Sequence, residues 1–159
     1  MNTANIGADT ALKHDKKTDI GIIENTYIID DDAISSFLTE NVLEGFSKNL
    51  KSFSSAKVAL EEIFAFEKAG TSPFAIFLDL NMPVMDGWTF LNAVAHQHES
   101  FKKRCKIVIL SSSIDKAELC RANKNQLVLC FISKPLDEAG VATVKALLSG
   151  EKHDSANYS

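Results

Sequence analysis

Five short apolar segments recur along the chain, and segments with a helical repeat of apolar residues separate them. Short apolar runs are typical of buried parallel strands, whereas apolar residues spaced three and four apart predict amphipathic helices. The predicted strands are 27–29, a region near 48–53, 74–78, 107–110 and 127–132. A strand followed by a helix, repeated five times, predicts a three-layer, doubly wound α/β domain with right-handed crossovers.

The first helix is predicted by Ile34, Phe37, Leu38 and Val42, which recur at the spacing of one helical face before Gly45. The other four predicted helices follow the remaining strands in the same way. Apolar residues mark three of them, over 56–64, 88–95 and 141–148, and the remaining one, the fourth helix, is expected to end near Asn123. Residues 112–115 resemble a capping box, so the fourth helix is expected to open at that point.

Polar side chains of three chemical types follow four of the predicted strands. Ligands bind beyond the carboxyl ends of the strands in an open parallel sheet, so these side chains are expected to surround one crevice. In chain order they are Asp30, Asp31, Asp79, Ser111 and Lys134. Acids, a hydroxyl and an ammonium group around one crevice indicate a site for a divalent cation and a phosphoryl group.

The three aspartates of this set need a compensating charge. Three carboxylates and Lys134 sum to −2, and two like charges 4 Å apart repel by about 4 kcal/mol at an effective dielectric constant near 20. Mg²⁺ would cancel that charge, because it prefers oxygen ligands. Asp79 could then attack phosphorus and form an acyl phosphate. Lys134 would neutralise charge on the phosphoryl oxygens, and Ser111 could donate a hydrogen bond to one of them.

Each of these residues also has an ordinary structural interpretation. An aspartate after a strand commonly caps a helix or closes a turn, and Asp32 is expected only to cap the first helix. Ser111 alone fits a turn serine, and Lys134 alone fits a solvated loop lysine. Their combination at four strand ends of one sheet favours the functional interpretation.

Composition limits the number of domains, the binding partners and the cellular location to be expected of the protein. A chain of 159 residues suits a single domain, and 17 basic against 21 acidic residues give no support for nucleic-acid binding. No segment approaches the roughly 18 apolar residues of a membrane span. The three cysteines are odd in number and far apart, which favours free thiols in the cytoplasm. We expect a flexible N-terminal lead over 1–24, one domain over 25–150 and a frayed tail over 151–159.

Four segments resemble the receiver domains of response regulators, the CheY-like proteins of two-component signalling. They are IIDDD at 28–32, FLDLNMPVMDG at 77–87, ILSS at 109–112 and SKP at 133–135. The four occur in the family's order and at similar spacing, and the resemblance covers about residues 25–149. It implies a single-domain receiver with a flavodoxin-like sheet in the strand order 2-1-3-4-5.

The resemblance also implies roles for the acidic residues. Asp79 would be the phosphoacceptor. Asp30, Asp31 and Asp79 would hold Mg²⁺ together with the backbone carbonyl of Asn81. No other cofactor is implied.

Further roles follow from the resemblance at the last two strands. Ser111 and Lys134 would contact the phosphoryl group, and the Lys134–Pro135 peptide bond would be cis. Phe131 falls at the position of the family's aromatic switch, although a phenylalanine simply buried at a strand end is an equal alternative. Trp88, at the start of the third helix, is interpreted as a packing residue.

The function that the resemblance implies is a phosphorylation-controlled switch, not a conventional enzyme. A histidine kinase or histidine phosphotransfer protein would donate the phosphoryl group, and the receiver would catalyse its own phosphorylation and dephosphorylation. Output would pass to a downstream protein target, with no nucleic acid or membrane involved, from a monomer or weak dimer. One alternative is a pseudo-receiver that serves as an interaction module. Another is a phosphohydrolase of the haloacid-dehalogenase type, but Asn81 stands where such enzymes need an acid–base aspartate.

Overall fold

A computed structural model describes residues 23–113 and 115–150 of the chain. The predicted tail over 151–159 lies outside the described residues, as does Ile114. The first strand begins at Ile23, inside the predicted N-terminal lead, and the rest of that lead, 1–22, also lies outside the described residues.

Five strands and six helices make up the described part of the chain. The strands are β1 (Ile23–Ile29), β2 (Ser47–Phe53), β3 (Phe74–Asp79), β4 (Cys105–Ser111) and β5 (Val128–Ser133). The helices are α1 (Ala33–Val42), α2 (Ala56–Glu67), α3 (Gly87–Ala95), α4 (Glu99–Arg104), α5 (Lys116–Lys124) and α6 (Glu138–Leu148). All neighbouring strands pair in parallel, in the order β2-β1-β3-β4-β5. The predicted fold class and strand order are therefore confirmed.

The sheet separates two apolar cores, as alternate residues of the fully buried β3 show. Phe74, Ile76 and Leu78 belong to the core on one face, and Ala75 and Phe77 belong to the core on the other. Buried residues of α2, α3 and α5 fill the first core, whereas α6 and the end of α1 contribute to the second. Helices thus cover both faces of the sheet, which leaves the ends of the strands as the place for a site.

Three of the four apolar residues that predicted α1 lie outside its buried face, whereas the fourth, Val42, packs against the second core. Ile34, Phe37 and Leu38 are exposed by 73%, 61% and 48%, whereas Ser36 and Thr39 are buried. Thr39 can be buried at little cost because its hydroxyl donates to the carbonyl of Ser35 (2.9 Å). The helix was therefore predicted at the right place, but its apolar stripe faces solvent.

The fourth predicted helix begins later than its sequence indicated. The N-cap of α5 is Asp115, whose carboxylate accepts a hydrogen bond from the N–H of Ala117 (2.9 Å). The capping box expected at 112–115 was wrong, because the Ser113 hydroxyl accepts from the N–H of Asp115 (3.1 Å) in the turn before the helix. The short helix α4 was not predicted at all; a single turn or two shows no periodic pattern, and only Phe101 of α4 is buried.

Candidate functional site

The predicted site residues lie at the carboxyl ends of β1, β3, β4 and β5. Asp30 directly follows β1, Asp79 ends β3, Ser111 ends β4 and Lys134 directly follows β5. The backbone N–H of Lys134 donates to the carbonyl of Ser111 (2.9 Å), which ties the last two of these ends together. The crossovers of the sheet thus bring residues that are distant in sequence to one edge.

Three aspartates form an acidic cluster at this edge. Asp30, Asp31 and Asp79 each offer one carboxylate oxygen, and these oxygens all lie within 4.8 Å of one another. Asp30 and Asp79 are buried, whereas Asp31 is exposed. A set of oxygen donors with one open side suits Mg²⁺, which keeps several water ligands. The chemistry of the donor set therefore fits this ion.

Lys134 bridges the two buried aspartates of the cluster. Its Nζ lies 2.7 Å from Asp30 Oδ2 and 3.3 Å from Asp79 Oδ2. Burial of the ammonium group opposes its charged form, but the two carboxylates outweigh burial and raise the pKa of Lys134 above its ordinary value. The lysine is therefore charged and held between the carboxylates.

The two buried carboxyl groups have opposite pKa shifts. Burial is the largest influence on both and raises the pKa of Asp79, despite the hydrogen bond from the N–H of Asn81 and the charge of Lys134. At Asp30 the hydrogen bond from Lys134 and others outweigh burial and lower the pKa. Asp79 is therefore the more basic of the two carboxylates.

The backbone around Asp79 is held by the segment that leads into α3. The N–H of Asn81 donates to Asp79 Oδ1 (3.1 Å), and the N–H of Gly87 donates to the carbonyl of Leu80 (3.0 Å). A Cβ atom on Gly87 would lie 2.8 Å from the carbonyl oxygen of Asp79. Only glycine lets α3 begin this close to the backbone of Asp79.

Ser111 and Phe131 are both buried near the same strand ends. Ser111 Oγ accepts a hydrogen bond from the N–H of Ser113 (3.1 Å), and the side chain is fully buried. Phe131 is 4% exposed and belongs to the core that also contains Ile109, its register partner on β4. The aromatic ring thus lies inside the core. The Lys134–Pro135 peptide bond is cis, as expected.

Comparison with known proteins identifies the family. The family model described as response regulator receiver domain matches residues 26–144, which is most of the chain. The chain belongs to this family. Receiver domains are phosphoacceptors of two-component signalling and bind Mg²⁺ at an acidic pocket; the acidic cluster of this receiver domain could hold such an ion.

Solved structures share the fold of this receiver domain. A two-component response regulator from Cytophaga hutchinsonii is 26% identical with a TM-score of 0.74, and the match covers 82% of this chain and 99% of that one. A response regulator receiver protein from Dyadobacter fermentans is 23% identical, with a TM-score of 0.70 and coverage of 81% and 99%. CheY in the CheX-CheY-BeF3-Mg complex from Borrelia burgdorferi is 22% identical, with a TM-score of 0.65 and coverage of 85% and 95%. No curated protein matches the chain.

Sequence reasoning missed three features of this receiver domain. One is the solvent-facing stripe of α1, which adjoins a cavity of about 290 Å³ lined in part by Leu38, Lys134 and Pro135. A second is the contact of Arg121 with the ring of Trp88. The third is the ion pair between Arg104 and Glu67 at the other end of the sheet. None has a signal in sequence, because each depends on which helix face meets a neighbour.

Within 23–113 and 115–150, no helix is long and apolar enough to cross a membrane.

Proposed function

We propose that this receiver domain, over about residues 25–150, is a phosphorylation-controlled switch whose phosphoacceptor is Asp79. The observation that carries the proposal is the position of Lys134 Nζ, which contacts the carboxylates of both Asp30 and Asp79 beside an exposed Asp31. A lysine, two buried acids and one open acid form a site that is ready to accept a phosphoryl group and a divalent cation.

The phosphoryl group comes from a phosphohistidine of a histidine kinase or of a histidine phosphotransfer protein. A carboxylate oxygen of Asp79 attacks phosphorus, a P–O bond forms and the P–N bond breaks, and the imidazole nitrogen keeps the electron pair and takes a proton. Before Mg²⁺ binds, burial raises the pKa of Asp79, and a more basic carboxylate is a stronger nucleophile. The chain thereby catalyses its own phosphorylation.

Asp30, Asp31 and Asp79, with the backbone carbonyl of Asn81, would hold Mg²⁺, which would supply positive charge to offset the negative charge of the phosphoryl oxygens. Lys134 donates to the same oxygens from the side that it already occupies. In the reverse direction, water attacks phosphorus, the acyl phosphate bond breaks and the Asp79 carboxylate is restored.

Ser111 and Phe131 pass the change to a protein-binding face. The Ser111 hydroxyl accepts from Ser113, and a hydroxyl can still donate its own proton to a phosphoryl oxygen. Movement of Ser111 changes the space available to the ring of Phe131, so phosphorylation favours another arrangement of the surface formed by α5, β5 and α6. Output then arises by population shift and is read by a downstream protein.

The exposed stripe of α1 supports a protein as the phosphoryl donor. Asp79 is 7% exposed, so a donor must cover the rim of the crevice to bring a phosphohistidine into contact with it. Ile34 and Leu38 line a cavity together with Lys134 beside that rim, and with Phe37 they expose apolar surface of the kind that marks protein contacts. A donor protein would bury this stripe while it reaches Asp79.

The test is the intact mass of the protein after incubation with Mg²⁺ and acetyl phosphate. We expect one phosphoryl adduct that hydroxylamine removes, as it does an acyl phosphate. Asp79→Asn should abolish the adduct. Asp86→Asn is the matched control, because Asp86 is a neighbouring exposed aspartate that caps α3 and asparagine retains that cap. An adduct that persists in Asp79→Asn, or no adduct on the unchanged chain, would contradict the proposal.

A further inference from the structure

A cationic side chain on α5 stacks on an aromatic ring of α3. The guanidinium carbon of Arg121 lies 3.9 Å from the centroid of the Trp88 ring. Cations within about 6 Å of an indole centroid are attracted by the ring, and tryptophan is the strongest partner. The contact thus joins the last turn of α5 to the first turn of α3.

The Trp88 end of this contact is rigidly connected to Asp79. Gly87 precedes Trp88, and its Cα lies so close to the Asp79 carbonyl that a Cβ atom would collide with it. Asp86 caps the same turn by accepting from the N–H of Thr89 (2.8 Å). Trp88 therefore cannot move far without the backbone beside Asp79.

The other end of α5 is connected to the Ser111 hydroxyl by a series of hydrogen bonds. Ser111 Oγ accepts from the N–H of Ser113, and Ser113 Oγ accepts from the N–H of Asp115, both at 3.1 Å. Asp115 then accepts from the N–H of Ala117 as the N-cap of α5. The start of α5 is thus linked to one proposed phosphoryl contact, and its last turn is linked through Arg121 to the phosphoacceptor segment.

We propose that Arg121 is a positioning residue that holds the last turn of α5 on Trp88, so that α5 responds as one body when Asp79 is phosphorylated. This inference rests on the proposed function. When the Ser111 hydroxyl turns toward the phosphoryl group, it displaces the start of α5 through the hydrogen bonds described above. The stack on Trp88 meanwhile fixes the position of the last turn of α5 relative to the segment of Asp79. Without the stack, local bending of the helix absorbs the displacement of its first turn, and the last turn does not respond.

The experiment measures amide hydrogen exchange over 116–124 in the full chain, before and after phosphorylation by acetyl phosphate with Mg²⁺. Intact mass gives the adduct yield for each sample. In the unchanged chain we expect phosphorylation to alter the exchange rates of this helix. Arg121→Met should give the same adduct yield, but the alteration should shrink by about two- to fivefold, the factor that corresponds to an exposed cation–π contact.

Two matched variants separate the stack from a general charge effect. Lys124→Met removes the same charge from the same last turn of α5, and Lys124 is exposed; it should retain the response. Arg121→Lys keeps a cation for the ring and should restore most of it. Trp88→Leu removes the stack from the other side, and Arg121→Met added to Trp88→Leu should cause no further loss.

The outcomes distinguish this inference from the function on which it rests. A full exchange response in Arg121→Met, or an equal loss in Lys124→Met, would overturn the positioning role while the adduct leaves the proposed function intact. A phosphorylated chain whose α5 exchange does not change would overturn the positioning role and would also contradict the proposed rearrangement of α5, but it would leave Asp79 as the phosphoacceptor. Absence of the adduct on the unchanged chain would contradict the proposed function, and this inference with it.

Discussion

Lys134 compensates the charge of two carboxylates that have almost no access to water. Asp30 is 3% exposed and Asp79 is 7% exposed, and the ammonium group contacts both. Removal of one partner from a buried ion pair leaves an uncompensated buried charge, which costs far more than the pair itself contributes. The lysine therefore has a structural effect as well as a chemical one.

Substitution of Lys134 by Met should lower the free energy of unfolding by about 3–5 kcal/mol in buffer without divalent cations, because both buried acids lose their counter-charge. Mg²⁺ should then recover more stability in this variant than in the unchanged protein, since the cation replaces the missing charge. Urea unfolding with EDTA and with Mg²⁺ measures both effects. Lys116→Met, at an exposed position of α5, is the control. A loss that Mg²⁺ does not reduce would refute charge compensation.

Gly87 and Gly140 allow a comparison between a glycine packed against backbone and a glycine packed against a side chain. A Cβ atom at Gly87 would meet backbone atoms of Asp79 and Leu80 at 2.8 Å, whereas at Gly140 its nearest neighbour is the flexible end of Leu136 at 2.9 Å. Gly87→Ala should cost about 1–3 kcal/mol by overpacking and should lower the adduct yield. Gly140→Ala should stay within about 1 kcal/mol, because alanine favours the helix. Urea unfolding decides between them, and equal costs would contradict the argument.

At the scale of elements, one buried ion pair ties the end of α2 to the end of α4. Arg104 Nη1 lies 3.2 Å from Glu67 Oε2, and the hydroxyl of Tyr27 donates to Glu67 Oε1 (2.7 Å). Burial and then Glu67 raise the pKa of Tyr27, so the phenol keeps its proton for this bond. The guanidinium group also lies over the rings of Phe74 and Phe101. This cluster holds the amino-terminal end of the sheet, away from the acidic cluster.

Arg104→Met should cost about 3–5 kcal/mol, because Glu67 remains buried without its cation. The double variant Arg104→Met with Glu67→Gln should be more stable than the single one, since the glutamine carbonyl still accepts from Tyr27 and no charge is left buried. A double-mutant cycle from urea unfolding measures this coupling. Strictly additive costs would show that the two side chains do not act as a pair.

The helices also show where sequence patterns stop being sufficient. The spacing of Ile34, Phe37 and Leu38 located α1 but not its orientation. Asp32 caps the helix, and Ser36 and Thr39 are the residues that it buries. A periodic pattern states which residues share a face. Which face meets the sheet depends on the connection before the helix and on the neighbouring elements.

For the whole molecule, the acidic cluster predicts stabilisation by Mg²⁺. The cluster is assembled from β1 and β3, so the unfolded chain lacks it, and an ion that binds only the folded state stabilises it by about 2.7 kcal/mol at a hundredfold excess over the dissociation constant. We expect millimolar Mg²⁺ to raise the melting temperature and EDTA to reverse the shift.

Asp31→Asn should weaken this effect, because Asp31 contributes the exposed carboxylate of the cluster. Asp32→Asn is the control, since Asp32 is the exposed neighbour that caps α1 and asparagine caps equally well. Thermal melts of the three proteins give the comparison. A shift reproduced by sodium chloride at equal ionic strength would count against a specific site.

The sequence by itself determined the class of the fold and the composition of the candidate site. Apolar runs of strand length alternate with helical repeats, and the reactive residues follow the runs directly; both are local properties of the chain. Asp30, Asp79, Ser111 and Lys134 were therefore recognisable before any distance was known, and resemblance to a family added the strand order.

Only the tertiary structure decided which atoms meet. Lys134 contacts both buried acids, and Arg121 stacks on Trp88; each of these contacts joins segments far apart in sequence. The pKa difference between Asp30 and Asp79 depends on burial and on such contacts. These features depend on burial, on side-chain direction and on how the helices pack against the sheet. No local pattern encodes them, because each arises from the free energy of the whole packed molecule and not from any one segment.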